Sequence, residues 1–304
     1  MALGVVSRSF HRGKPHEATT IDGFSIGGNV IKTATTTWYV DSVKGTAGAS
    51  GSADSPFPTL TLAVAAASAW DTIYVAMGDY TEEDIAITQR GLKIIGANGS
   101  GSILGGALLI GSAAHILRIR ADDVEIAGLA FYQTGAFACI TAGPSALNTW
   151  RPYIHDCMFS GPTNGASGIR VTDDIGSDAP YALIENCKFY DMYGNGIYLR
   201  ASVATVRNCH FELKAAAGVV GVEDDVNGAS KPFRSIVDCK FVATDTNSVG
   251  IKVNQTPSSG QLLIQGNHFV GAFTAQVNAC DVVTSGKTGL MGLNYFNATV
   301  MSIS

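Results

Sequence analysis

Beyond about residue 90 the chain is a succession of short runs in which apolar and polar positions alternate, and one run keeps returning. Ile154-His-Asp-Cys-Met-Phe159, Ile184-Glu-Asn-Cys-Lys-Phe189, Val206-Arg-Asn-Cys-His-Phe211 and Ile236-Val-Asp-Cys-Lys-Phe241 are copies of a single motif. Weaker copies occupy 126–131, 264–269 and 291–296. Phe131, Phe159, Phe189, Phe211, Phe241, Phe269 and Phe296 therefore recur at steps of 28, 30, 22, 30, 28 and 27 residues. Self-similarity at such an interval predicts a solenoid.

The chemistry of each motif position predicts which solenoid. Side chains alternate across a strand, so each Phe shares a face with the residue two before it: Leu129, Cys157, Cys187, Cys209, Cys239, Asn267 and Asn294. The residue between them (Met158, Lys188, His210, Lys240, His268) points outward. Three before the Phe stand Gly128, Asp156, Asn186, Asn208, Asp238 and Gly266. These residue types tolerate positive φ, which predicts a tight bend between two strands. The Ile or Val five before the Phe faces inward from the preceding strand. A third strand per coil reads from Gly168-Ile-Arg-Val171, Gly196-Ile-Tyr-Leu199 and Gly250-Ile-Lys-Val253. Three short strands, a bent corner and loops of unequal length predict an all-β, right-handed parallel β-helix. One segment breaks the pattern: 59–70 reads as a short amphipathic helix placed to cover the open end of the core.

Ahead of the repeats, Trp38-Tyr-Val-Asp-Ser42, Ser55-Pro-Phe-Pro-Thr59, Asp71-Thr-Ile-Tyr-Val75 and Gly78-Asp-Tyr-Thr81 resemble the N-terminal cap of the pectin-lyase-like right-handed β-helix superfamily, which also includes phage tailspike and virion proteins. With the repeats, the resemblance covers residues 37–304 and implies a cap at about 37–90 followed by coils at about 91–304. It implies fold rather than activity, because that fold carries lyases, hydrolases, epimerases, tailspikes and structural proteins alike. Residues 1–36 do not share the repeat and read as an N-terminal arm.

Composition narrows the field. Charged residues make up 15% of the chain, and a net charge of −5 offers no basic field for nucleic acid. No apolar run approaches the roughly 18 residues of a membrane helix. Six cysteines (139, 157, 187, 209, 239, 280) form no CxxC pair. Four of them occupy one slot of the repeat, which predicts stacked buried thiols rather than disulfides or a metal site. The apolar run at Met1-Ala-Leu-Gly-Val-Val is shorter than the roughly 7–15 residues of a secretory signal, so cytosolic synthesis without classical export is expected.

Polysaccharide chemistry on such a fold needs exposed carboxylates, two of them roughly 5–9.5 Å apart for a hydrolase. The candidates are Asp122-Asp123, Asp173-Asp174 and Glu223-Asp224-Asp225; if the chain is an enzyme, Asp173, Asp174, Asp224 and Asp225 are the residues expected to carry catalysis. The same acidic pairs read equally as solvated turn residues. The Gly-His-Gly and Arg-Ile-Lys signatures of polygalacturonase-like enzymes are missing, and Arg118-Ile-Arg120 fits any solvated strand. His210 and His268 share an outward slot two coils apart, about 10 Å, too far to chelate one metal. No metal or cofactor is expected. Tyr190, Tyr193 and Tyr198 cluster in one coil and offer rings for sugar stacking or subunit contact.

The arm carries Arg8, His11, Arg12, Lys14 and His16 against Glu17 and Asp22, and is glycine-rich toward its end. A segment of this composition has little reason to order alone, so a partner surface is expected to hold it. The expected function is a non-catalytic phage virion structural protein, a capsid decoration (cement) protein. Arg8, His11, Arg12 and Lys14 would then anchor it to the major capsid protein or another virion protein. A homotrimer in the virion is expected, with bacterial surface polysaccharide as a further possible partner and neither specific nucleic acid nor membrane. The alternative is a tailspike-like depolymerase, a glycoside hydrolase or lyase acting on bacterial surface glycans.

Overall fold

A residue in the left-handed region sits at the same corner of six successive coils. φ is +65° at Gly128, +53° at Asp156, +54° at Asn186, +53° at Asn208, +54° at Asp238 and +69° at Gly266. These are the positions that the sequence pattern assigns to the bend, and only Gly, Asn and Asp fill them because other side chains clash there. The computed structural model describes residues 25–26, 29–30, 35–97, 106–143, 151–162, 165–172, 181–200, 203–214, 219–225, 233–254, 261–273, 279–282, 288–297 and 299–300.

The chain divides into two units, Met1–Thr35 and Thr36–Ser304. In the first, Ser25–Ile26 and Asn29–Val30 pair antiparallel. In the second, the described strands wind into three sheets. The first sheet runs from Thr37–Val40 through ten strands to Thr288–Met291. The second, also of ten, begins at Gly78–Thr81. The third runs through eight strands from Ile85–Ile87 to Cys280–Val282. Successive strands within each sheet are parallel, apart from the closing pair Tyr295–Phe296 and Thr299–Val300. Each coil therefore contributes one strand to each sheet, with the bent corner joining the first sheet to the second. This is a parallel β-helix.

Two ladders run through its interior. Phe131, Phe159, Phe189, Phe211, Phe241 and Phe269 stack ring on ring, centroids 4.6–5.0 Å apart and planes within 11°. Each is fully buried, which stabilises the fold by about 1.5–3 kcal/mol per side chain before stacking is counted. The third-sheet glycines make room for them. A Cβ on Gly168, Gly196, Gly221 or Gly250 would lie 2.6–2.9 Å from the ring of Phe189, Phe211, Phe241 or Phe269 respectively. That close approach explains the glycine opening each third-strand motif, and it reveals a fourth copy, Gly221-Val-Glu-Asp224. The second ladder is Cys157, Cys187, Cys209 and Cys239, all buried free thiols. Their Sγ–H groups donate to corner carbonyls, as from Cys187 to Glu185 O at 3.3 Å. Burial, first of all, pushes the Cys187 and Cys239 thiols up in pKa. Asn267 and Asn294 continue the same slot with full amide bonds: Asn267 Nδ2 donates to Ile236 O at 2.9 Å, and its Oδ1 accepts from Cys239 N at 3.0 Å.

The helix spans Leu60–Ala66, shorter than the 59–70 that the apolar pattern predicts. Thr59 caps it, its hydroxyl accepting from Leu62 N, and the Glu82 carboxylate takes the N–H groups of Leu60 and Thr61 at 2.7 and 2.8 Å. Past Ala67 the buried Asp71 captures Ser68 N at 2.8 Å and Trp70 turns to φ +71°, which ends the helix. Leu60, Ala63 and Val64 face inward, and the helix packs on strands Thr37–Val40, Thr72–Val75 and Ile85–Ile87, closing that end of the core.

Candidate functional site

The outward face of the third sheet collects the chemistry. Ser167–Thr172, Asn195–Arg200, Val220–Asp224 and Val249–Val253 are neighbouring strands. With Ile169, Ile197, Val222 and Ile251 pointing in, the residues one further along point out. Register places Arg170, Tyr198, Glu223 and Lys252 in one outward column. Arg200, Asp225 and Asn254 form the next, since Asp225 N donates to Leu199 O and Asn254 N to Asp224 O, continuing the ladder. At the usual strand spacing the strip is about 14 Å long.

Its members hold one another. The Arg170 guanidinium lies over the Tyr198 ring, 5.2 Å from the centroid. The Tyr198 hydroxyl donates to Asp225 Oδ2 at 2.5 Å. Partial burial and then this bond to a carboxylate push the phenol up to about 12. Glu223 accepts from Asn195 Nδ2 at 2.5 Å, from Asn254 Nδ2 at 2.6 Å and from Lys252 Nζ at 3.4 Å. In each of these bonds the carboxyl group is the acceptor.

The sequence candidates separate accordingly. Asp225 and Tyr198 come together on the strip. Asp224 is a correction: alternation sends it inward, into the slot held by Leu199 and Val253 in the adjoining coils. There it is fully buried and accepts from Arg234 Nε at 2.7 Å, so it does not line an exposed groove. Arg234 occupies the inward slot of Ala204 and Leu262 on the first sheet. Its Nη1 and Nη2 have no hydrogen-bond partner among the described residues. The tyrosine cluster also divides, because a corner intervenes. Tyr190 lies on the second sheet beside His210, centroids 5.9 Å apart, and Tyr193 sits in the turn where its N–H bonds Gly161 O. Asp173, Asp174, Arg8, His11, Arg12 and Lys14 lie outside the described residues. Glu223, Arg170, Lys252 and Asn254 are strip members that the sequence candidates omit. Aligning the four Gly-Ile or Gly-Val motifs would have put Arg170, Tyr198, Glu223 and Lys252 in one column.

Several charges elsewhere are held in pairs. Asp123 is clamped by Arg151 at 2.6 Å and Arg90 at 3.1 Å; burial raises its pKa, but the two guanidinium bonds outweigh that and leave it below the ordinary carboxylate range. On the first sheet His155 bridges Asp156 at 2.7 Å and Glu125 at 3.2 Å and stacks on Tyr153. Arg207 and the Tyr153 hydroxyl hold Glu185. His210 and His268 are separated in their column by Lys240. Among the described residues no three His, Cys, Asp or Glu side chains are grouped to hold a metal ion, and no helix is long and apolar enough to cross a membrane.

The family model described as "right handed beta helix region" matches residues 120–294. This chain belongs to that right-handed β-helix family. The match fixes the hand of the solenoid and agrees with the β-helix that the repeats predict. Solved structures similar to this β-helix protein include a rhamnogalacturonan lyase, 12% identical over 78% of this chain and 74% of the other, with a TM-score of 0.47. Pectin methylesterase PemA from Erwinia chrysanthemi is 15% identical over 84% and 93%, with a TM-score of 0.44. A lacto-N-biosidase from Eubacterium ramulus is 10% identical over 77% and 56%, at 0.35. No curated protein matches the sequence.

Proposed function

We propose that this β-helix binds an extended polysaccharide along the outward face of its third sheet and does not cleave it. The strip of Arg170, Tyr198, Glu223 and Lys252 beside Arg200, Asp225 and Asn254 carries the reading. It is a row of alternating donors and acceptors around one aromatic ring, the mixture that sugar hydroxyls and sugar C–H faces satisfy together. Binding without turnover is supported by the hydrogen bonds that Glu223 and Asp225 accept from Asn195, Asn254, Lys252 and Tyr198, which engage both carboxyl groups as acceptors. A glycoside hydrolase needs one carboxyl of its pair to carry a proton for the leaving oxygen. Affinity electrophoresis through gels cast with bacterial surface polysaccharides tests the reading. Retardation by one polymer, lost in Glu223→Gln and Tyr198→Ala, is expected; equal mobility of all three proteins in every polymer refutes it.

A second reading concerns where the molecule works. The division of the chain at Thr35 and Thr36 supports an anchoring arm distinct from the solenoid. This second reading is a phage virion decoration protein held to the capsid through Arg8, His11, Arg12 and Lys14, as a homotrimer. Removing residues 1–30 tests it: a folded β-helix that no longer binds the particle is expected, and retained binding refutes the anchor. If the intact protein cleaves a host glycan, the tailspike-like depolymerase takes the place of both readings.

A further inference from the structure

At the N-terminal end of the solenoid a second site has formed, on a different sheet from the strip. Tyr39 and Tyr74 are register neighbours in the first sheet, their rings stacked 5.9 Å apart at 28°. The chain after Tyr39 loops out and returns to the same strand. Tyr39 N donates to Gly51 O, Phe57 N to Tyr39 O and Asp41 N to Phe57 O, all at 2.8–2.9 Å. These bonds hold the loop beside the two rings and leave a cavity of about 250 Å³ between them, with Val40 and Pro56 in its apolar wall and Asp41 and Lys44 as its charged groups. That volume lies just under the roughly 300 Å³ at which pockets for drug-sized ligands begin.

The polar groups are placed but not consumed. Asp41 Oδ1 accepts the N–H groups of Val43 and Lys44 at 2.9 Å each, which fixes the carboxylate's orientation. Among the described residues, the Lys44 ammonium and the Tyr39 and Tyr74 hydroxyls have no hydrogen-bond partner or ion pair. Tyr74 is 42% exposed although it is a large ring. The cavity thus presents a stacked pair of tyrosines, an acceptor fixed by the backbone, a cationic donor and two phenols that both donate and accept.

We propose that this cavity binds a single pyranose ring, packed against the Tyr39–Tyr74 pair with its hydroxyls shared between Asp41 and Lys44. A pyranose has one apolar C–H face and a rim of hydroxyls that donate and accept, and one ring fits the volume where a chain does not. The site is separate from the third-sheet strip, and its occupancy does not depend on that reading.

Backbone amide NMR titration of the full chain with methyl glucoside, methyl galactoside, methyl mannoside and N-acetylglucosamine tests the proposal. Saturable shifts confined to the amides around Tyr39, Gly45 and Tyr74 are expected for at least one sugar, with Kd on the order of 1–10 mM. Tyr74→Ala and Asp41→Asn should weaken binding at least about tenfold, a change of roughly 1.4 kcal/mol. Tyr74→Phe, which keeps the ring, should retain most of the affinity and shows that the loss is not a loss of fold. Glu223→Gln on the third sheet should leave these shifts intact. No saturable shift with any of the four sugars, or binding that survives Tyr74→Ala and Asp41→Asn, overturns the proposal. So does binding that is lost in Glu223→Gln, which would seat the sugar on the strip.

Discussion

Replacing Asp224 with Val should cost this protein more than any surface change, because it removes the counter-charge of a cation that has no route to water. Arg234 and Asp224 are both 0% exposed, bonded at 2.7 Å across the core between the third and first sheets. The guanidinium already leaves Nη1 and Nη2 without a hydrogen-bond partner among the described residues. Removing one member of such a pair costs about 3–5 kcal/mol, most of it the penalty of stranding the other charge. At roughly 2–4 °C per kcal/mol for a domain of this size class, that is a fall in Tm of about 10 °C. Arg234→Leu, which leaves the Asp224 carboxylate without the guanidinium, should cost a similar amount. The double variant Asp224→Val/Arg234→Leu should behave differently. Its residues are those of the adjoining rungs, Val253 beside Asp224 and Leu262 beside Arg234. Replacing a buried pair with apolar residues is typically neutral or stabilising by about 1–4 kcal/mol. Urea unfolding followed by far-UV circular dichroism, run on all four proteins, measures the cycle. Single variants within about 1 kcal/mol of the parent, or a double variant as unstable as the sum of the singles, would refute the reasoning.

Three further outcomes follow from the ladders and the strip. Phe211→Ala, between Phe189 at 4.6 Å and Phe241 at 4.7 Å, should lose about 3–5 kcal/mol in the same urea titration, and a cost under about 1 kcal/mol would mean the stack is not a packed core. Gly221→Ala places a methyl 2.6 Å from Gly250 O and 2.7 Å from the Phe241 ring, and should cost about 1–3 kcal/mol; an unchanged midpoint would contradict the close approach. Because the Tyr198 phenol is raised to about 12, it favours the folded state fully below the ordinary tyrosine pKa near 10, and that contribution disappears as pH climbs toward 12. Absorbance titration at about 295 nm should accordingly show the phenol that ionises at the highest pH missing from Tyr198→Phe and shifted down in Asp225→Asn; identical curves for the three proteins would count against the hydrogen bond.

The corners and ladders could be read in the sequence because backbone geometry dictates residue type there. A left-handed φ admits Gly, Asn or Asp, and a Phe column closes against glycine, so Asn186, Phe189 and Gly196 announce their places by residue type alone. The strip was less legible for a physical reason. Nothing steric constrains an outward side chain, so its neighbours are known only once the coils are in register, and loops of unequal length hide the register. Tyr198 and Glu223 are separated by a shorter interval than Glu223 and Lys252, yet all three stand on successive rungs. Asp224 misled because three acidic residues in a row look like a turn. The parity of Val222 and Asp224 with Ile197 and Leu199 is what sends it into the core. The helix is shorter than its apolar pattern for a related cause: the pattern continues to Trp70, but a buried carboxylate at Asp71 takes the backbone N–H of Ser68 and turns the chain.

The most direct test of the account is to incubate the intact protein with the surface polysaccharides of candidate host bacteria, measuring bound polymer and newly formed chain ends in the same sample. Binding that requires Tyr198 and Glu223, with no reducing or unsaturated ends above the protein-free control, is the predicted result. Release of oligosaccharides that stops in Asp225→Asn or Glu223→Gln would contradict it and make the outward face of the third sheet an active site.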